Sequence, residues 1–286
     1  MNRIDIRATY RVRCAPEEAP AWADAIRVEQ SVEMPLAGVR DARILEDIVG
    51  RTLAISPAPD GRQQIEIGLA LATAQPGVAQ LMNMLIGNTS LHENVELADV
   101  QFPPELLALF HGPRQGVAGL RALTGVPRGP ITCTALKPQG LDVRGLARLC
   151  RGFVHGGMHI IKDDHGLSDQ DYSPFAERLH ACQAAVQEAN RETGMRTLYA
   201  PSLAGAPEQL REQARLAREA GIHVVLMAPM LLGLPAFEEA VREHLGGMAV
   251  LAHPSLGGIR IAPELLFGKL YRLLGADAVI FTGYGG

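Results

Sequence analysis

Two of the three lysines in this chain stand where apolar runs end. Among 27 basic residues only Lys137, Lys162 and Lys269 are lysines. Surface cations are therefore mostly arginine, and a retained lysine points to amine chemistry that arginine, with its far higher pKa, cannot perform. Lys162 lies in Ile160–Ile161–Lys162–Asp163–Asp164. In a strand, alternation puts Lys162 and Asp164 on one face and Asp163 on the other, so the first two can converge on one ion. An amine at the end of an apolar strand is desolvated, which lowers its pKa. It can form a Schiff base with a carbonyl or add CO₂ to become a carbamate. With Asp164, a carbamate would offer the hard oxygen donors that Mg²⁺ prefers. A Lys–Asp ion pair capping the strand is the other reading of the same spacing.

Lys137 stands in Leu136–Lys137–Pro138. An ammonium there can hold a carbonyl or enolate oxygen or move a proton, or it is a surface lysine in a loop. His253 closes Val250–Leu251–Ala252–His253, where an imidazole can meet a substrate hydroxyl or phosphate or transfer a proton, or simply pack. His159, inside a strand, reads as packing.

These groups need elements to hold them. With 286 residues the chain exceeds the roughly 100–200 of an ordinary domain. The expected class is α/β: a small N-terminal α+β domain over residues 1–125, then a (β/α)₈ TIM-type barrel over 126–286 with about six βα units present. Residues 2–13 alternate apolar and polar side chains as a half-solvated strand does. A helix is expected over 16–30, and strands over 49–56 and 62–73 form a hairpin about the Pro/Asp/Gly turn at 57–61. Pro103 and Pro104 open a short helix. Apolar runs then begin near 131, 158, 196, 222, 248 and 277, the period of a βα repeat. Helices near 142–155, 174–194, 206–220, 233–245 and 261–274 separate them. The runs end at Lys137, Lys162–His165, Pro201–Ser202, Pro229, His253 and Thr282–Gly283, and barrel enzymes carry their chemistry at such strand ends. A doubly wound sheet is the alternative, but no Gly-rich phosphate turn follows the first run.

Composition excludes several classes. The balance of 27 basic and 31 acidic residues, net −4, offers no footprint for nucleic acid or an anionic membrane. No apolar stretch approaches the ~20 residues of a membrane span. Cys14, Cys133, Cys150 and Cys182 form no CxxC pair and no apolar leader follows Met1, so a reduced, cytoplasmic protein is expected.

The segment Gly156–Gly157–Met158–His159–Ile160–Ile161–Lys162–Asp163–Asp164 resembles the RuBisCO large-chain motif Gly-Gly-x-x-x-x-Lys-x-Asp-Glu, whose lysine is carbamylated. Ile86–Gly87–Asn88, Thr134–Ala135–Leu136–Lys137–Pro138 and Glu192–Thr193–Gly194 match in the same order. Departures accompany the matches. Gln139 replaces a second lysine, His165 the metal-binding glutamate, Pro254 an arginine and Phe281 a histidine, and Met34–Pro35 stand for a Thr-Trp pair. The chain therefore resembles a RuBisCO-like (type IV) protein rather than a carboxylase. The resemblance implies Mg²⁺ held by carbamylated Lys162, Asp164 and His165, although imidazole suits Mg²⁺ less than softer metals. It implies Lys137 as acid/base or enolate-stabilising group and His253 as a phosphate or hydroxyl contact. Glu29 and Asn88 would bind substrate across a homodimer with shared sites. The expected activity is enolisation of a phosphorylated ketose: tautomerisation or isomerisation of a methylthioribulose-phosphate type, with decarboxylation of a 3-oxo sugar-acid phosphate, a Schiff-base lyase and a non-catalytic member as alternatives. The family continues beyond Gly286 through two more βα units, so a truncated chain is expected.

Overall fold

A computed structural model describes residues 3–75 and 77–281; the expected strand end at Thr282–Gly283 lies outside them. The chain groups into two compact units. One runs through Phe110 and takes in Gly257–Leu270; the other spans His111–Leu256 and resumes at Tyr271.

The first unit is built on a four-stranded antiparallel sheet. Its strands are β1 (Asp5–Val12), β2 (Arg51–Pro57), β3 (Gln63–Ala70) and β4 (Val95–Gln101), in the order β2-β3-β1-β4. The period-2 pattern is observed in β1, where Ile6, Ala8, Tyr10 and Val12 are buried. The Tyr10 hydroxyl satisfies itself inside that core by donating to the Leu85 carbonyl at 2.6 Å. The hairpin also forms, pairing Pro57 with Gln63, but β3 stops at Ala70 and residues 71–73 turn into a 3-10 helix. The helix Ala19–Glu29 buries Ala19, Ala23 and Ile26, spaced for one helical face against the sheet. Lys269 belongs to this unit and pairs with Asp99 on β4, so the third lysine does architectural work.

In the second unit every strand is parallel to its neighbours. They are β5 (Cys133–Ala135), β6 (Ile160–Lys162), β7 (Leu198–Ala200), β8 (Val224–Met227), β9 (Ala249–Ala252) and β10 (Ala278–Val279). Each starts one to two residues after its expected position, and the helices Val143–His155, Phe175–Thr193 and Pro207–Glu219 fall where expected. The expected 233–245 and 261–274 helices each continue through a π-helical stretch, Ala240–His244 and Leu266–Leu270. Two sheets, β5-β6-β7 and β8-β9-β10, are joined by a parallel bridge between Ser202 and Leu226. The strands thus lie side by side in chain order. That excludes the doubly wound alternative, whose order reverses at a switch point. Among the described residues the sheets remain open.

Alternation assigns the two faces of these strands. Ile160, Ala200, Val224, Leu226, Ala249 and Leu251 meet Leu120 of the Gly116–Thr124 helix in one apolar core. Asp277 fixes that helix: Oδ1 accepts from the Gln115 and Gly116 N–H groups at 2.7 Å, and Oδ2 from the Val250 N–H at 2.8 Å. The other face of β6 holds a buried ion pair. Asp163 accepts from Arg178 Nε at 3.1 Å, Tyr199 Oη at 2.7 Å and the Ser202 N–H at 3.0 Å. Arg178 also donates to the Ser173 and Ser168 carbonyls at 2.6 and 2.7 Å. Both ionic side chains are wholly buried. Removing one would strand the other's charge, and such losses run to about 3–5 kcal/mol. Arg178→Met should therefore lower unfolding stability in urea by about that amount. A loss under about 1 kcal/mol, the range of exposed pairs, would contradict this account.

Candidate active site

Beyond Lys162 the chain leaves β6 through a tight turn. The Leu167 N–H closes it on the Asp164 carbonyl at 3.0 Å, and Gln170 Nε2 holds the Gly166 carbonyl at 2.7 Å. Asp169 then accepts from the Phe175 N–H at 2.6 Å, fastening the turn to the helix that carries Arg178. The strand alternation is as expected: Asp163 is committed to Arg178 on one face, leaving Asp164 to the other.

Asp164 is the meeting point. Lys137 Nζ lies 3.3 Å and His165 Nδ1 3.4 Å from its Oδ1, and Gln139 Nε2 lies 3.3 Å from its Oδ2. Burial pushes this carboxyl up, but the Lys137 and Gln139 contacts with the His165 charge outweigh it and hold the group below its ordinary value. Oδ1 is nonetheless buried without a hydrogen-bond partner. Lys162 is buried and its Nζ donates to the Asp163 carbonyl at 3.1 Å. Burial pushes that amine below the usual lysine range; Cys133 and Asp164 oppose the shift and Lys137 adds to it.

His253 closes the cluster from the end of β9. Its ring stacks on His165 with centroids 4.0 Å apart and planes 15° from parallel. The Ser255 N–H donates to its Nδ1 at 3.3 Å, and the Ser255 hydroxyl lies 2.8 Å from the same nitrogen. An accepting Nδ1 puts the proton of the neutral ring on Nε2. Burial, with His165 and Lys162 nearby, pushes this imidazole down to about 4. His159, expected inside a strand, instead immediately precedes β6 and bonds the residue before β5: its Nδ1 lies 3.0 Å from the Thr132 N and 2.7 Å from the Thr132 hydroxyl.

Among the described residues no three His, Cys, Asp or Glu side chains stand together as a metal site. Asp164 supplies an oxygen donor and His165 a nitrogen, and a third donor, an oxygen, requires Lys162 to take up CO₂. The Asp164 Oδ1, buried without a hydrogen bond and facing the Lys137 ammonium and His165, and the desolvated Lys162 amine, whose pKa burial lowers, fit that arrangement.

Glu29 and Asn88 belong to the first unit and bind each other, Asn88 Nδ2 donating to Glu29 Oε1 at 2.8 Å. Gln30 pins the helix end beneath them, accepting from the Thr89 hydroxyl at 2.7 Å and donating to the Met84 carbonyl at 2.9 Å. A cleft of about 450 Å³ opens beside the pair, edged by Trp22, Leu91 and His92. A cavity of about 310 Å³ lined by Arg196, Thr197, Gly221 and His223 lies at the other end of β7 and β8 and holds none of these groups. Arg178, Gly166 and Ser255 went unread in the sequence. Only Arg178 carried a signal, since an inward-facing aspartate at position 163 demands a cation.

Parallel strands presenting lysine, carboxylate and imidazole at their C-terminal ends are the arrangement of α/β enzymes that react at strand ends. The family model for the ribulose bisphosphate carboxylase large chain, catalytic domain, matches residues 116–285. The chain is 49% identical over 282 residues to ribulose bisphosphate carboxylase-like protein 1 of Rhodopseudomonas palustris, covering 98% of this chain and 76% of that protein. It is 50% identical over 285 residues to the 5-methylthioribulose-1-phosphate isomerase of Rhodospirillum rubrum, covering 98% and 75%. The crystal structure of a Rubisco-like protein from Rhodopseudomonas palustris matches with a TM-score of 0.93 at 44% identity, over 99% of this chain and 79% of that one. The chain belongs to the RuBisCO large-chain family, among its RuBisCO-like proteins.

The His253 shift fixes the sign of a pH effect. Between its unfolded value of 6.5 and about 4 in the fold, the unfolded chain binds the extra proton. The contribution is complete above 6.5 and declines as pH falls toward 4. Thermal midpoints should therefore drop more steeply with acidification over this window in the wild type than in His253→Gln. Parallel curves would refute a neutral, desolvated ring.

Proposed function

We propose that this chain is a metal-dependent enolising isomerase of a phosphorylated ketose, of the methylthioribulose-phosphate type, without carboxylase activity. The observation that carries the reading is the buried Asp164 carboxylate, whose Oδ1 makes no hydrogen bond and faces the Lys137 ammonium at 3.3 Å and His165 Nδ1 at 3.4 Å, beside a desolvated Lys162. The name of the Rhodospirillum rubrum relative supports isomerisation over decarboxylation. Gln139, His165 and Pro254 stand where the resemblance implies carboxylase residues, which argues against CO₂ fixation. The six parallel strands in chain order support six units of a (β/α)₈ barrel. The four free cysteines suit a reducing, cytoplasmic setting, and no described helix is long and apolar enough to cross a membrane.

Lys162, as its carbamate, would hold Mg²⁺ with Asp164 and His165; when bound, the ion supplies Lewis acidity toward a substrate carbonyl. The remaining work falls to side chains. Lys137 is 64% exposed, so its ammonium is open to substrate while Asp164 anchors it. From there the ammonium can deliver a proton to the enolate carbon or balance charge on the enolate oxygen; it can take a proton from carbon only after giving up one of its own. His253, with Nδ1 accepting from Ser255, has an Nε2–H to donate to a hydroxyl or phosphate oxygen. Glu29 and Asn88 serve as substrate contacts in the partner subunit's site, making the working form a homodimer.

Proton exchange into D₂O across a panel of phosphorylated ketoses tests enolisation before any product is known. Lys162→Ala should abolish exchange, and Lys137→Ala should slow it by about 10²–10⁴-fold. Exchange retained in Lys162→Ala rules out the carbamate. Substrate trapped by borohydride in enzyme that ignores EDTA would instead establish a Schiff-base lysine.

A further inference from the structure

Gln139 and Gly166 meet at the carboxylate on which the site turns. The Gln139 amide reaches Asp164 Oδ2 at 3.3 Å. A Cβ placed on Gly166 would lie 1.7 Å from Gln139 Nε2 and 2.9 Å from its Cδ. Gly166 is not among the glycines with positive φ, so its backbone does not require glycine. The empty space at its Cα is what the amide fills. The seat is firm, because Gln170 holds the Gly166 carbonyl and Arg178 the Ser168 carbonyl.

The consequence falls on the two oxygens of Asp164. Oδ2 receives a neutral donor, which fixes the plane of the carboxylate without cancelling its charge. Oδ1 is left buried and without a hydrogen bond, facing the Lys137 ammonium at 3.3 Å and His165 at 3.4 Å, so a cation binding there takes over the place of the exposed ammonium. An ammonium in the place of the amide would bring a second full charge to the same group and compete with a cation for it. A neutral amide orients the ligand and keeps its charge available, which is how outer contacts tune a metal ligand.

We infer that Gln139, seated against Gly166, is a positioning residue that locks Asp164 so that Oδ1 is the oxygen offered to a divalent cation. The inference rests on the metal reading above. It uses no contact between Gln139 and substrate, and it distinguishes this chain's residue from a simple loss of lysine.

The test is Mn²⁺ binding in bicarbonate buffer, read by electron paramagnetic resonance and by calorimetry, alongside thermal unfolding. Gln139→Ala, a truncation at an exposed position, should weaken Mn²⁺ affinity by about 10–100-fold with little change in the unfolding midpoint. Gly166→Ala should do the same by evicting the amide, whose flexible end can move. In Gln139→Ala, where nothing remains to evict, adding Gly166→Ala should cost no further affinity. Unchanged affinity in Gln139→Ala overturns the inference while leaving the metal reading intact, and so do losses that add in the double variant. A wild type that binds no Mn²⁺ overturns both.

Discussion

The Asp163–Arg178 pair is the constraint on which the site depends. It ties β6 to the turn that follows, to the Phe175–Thr193 helix and, through Tyr199 and Ser202, to β7. Burial pushes the Asp163 carboxyl up, and the Arg178 charge with two further donors offsets only part of that rise. A buried carboxylate is tolerated only when its lone pairs are answered in this way. Because successive strand residues face opposite ways, committing Asp163 to architecture also determines where Asp164 projects.

Three buried aspartates show how architecture and chemistry differ in this protein. Asp163 has three donors and Asp277 has three backbone N–H groups. Asp164 has an amide on one oxygen and no hydrogen bond on the other. Buried polar groups are nearly always hydrogen-bonded; Oδ1 of Asp164 instead faces the Lys137 ammonium and His165. Lys162 is desolvated and Lys137 is largely exposed. His253 is held as a neutral ring by burial beside cationic groups.

Much of this was legible in the residues. The scarcity of lysine picked out Lys137 and Lys162, and alternation separated Asp163 from Asp164. The repeat of apolar runs located six strands to within two residues, because parallel strands covered by helices are apolar throughout and leave a plain signal. In the first unit β4 and the Gly77–Ile86 helix went unread. Their residues, such as Val95, Leu97 and Val100, take their inward direction from sheet partners distant in sequence. The Gln139–Gly166 fit was invisible for a similar reason: a missing Cβ matters only once a side chain from another strand end is brought against it.

The order of the strands has a consequence for folding. Within each three-stranded sheet of the second unit, a strand pairs with the one that precedes it in the chain, and a single bridge links the two sheets. Each such pairing must close a loop that holds a whole helix, so the neighbouring strands cannot zip together as a hairpin does. Asp277 reaches back further, to the Gly116–Thr124 helix. Its late arrival would clamp the apolar floor beneath the reactive end after most of the sheet is assembled.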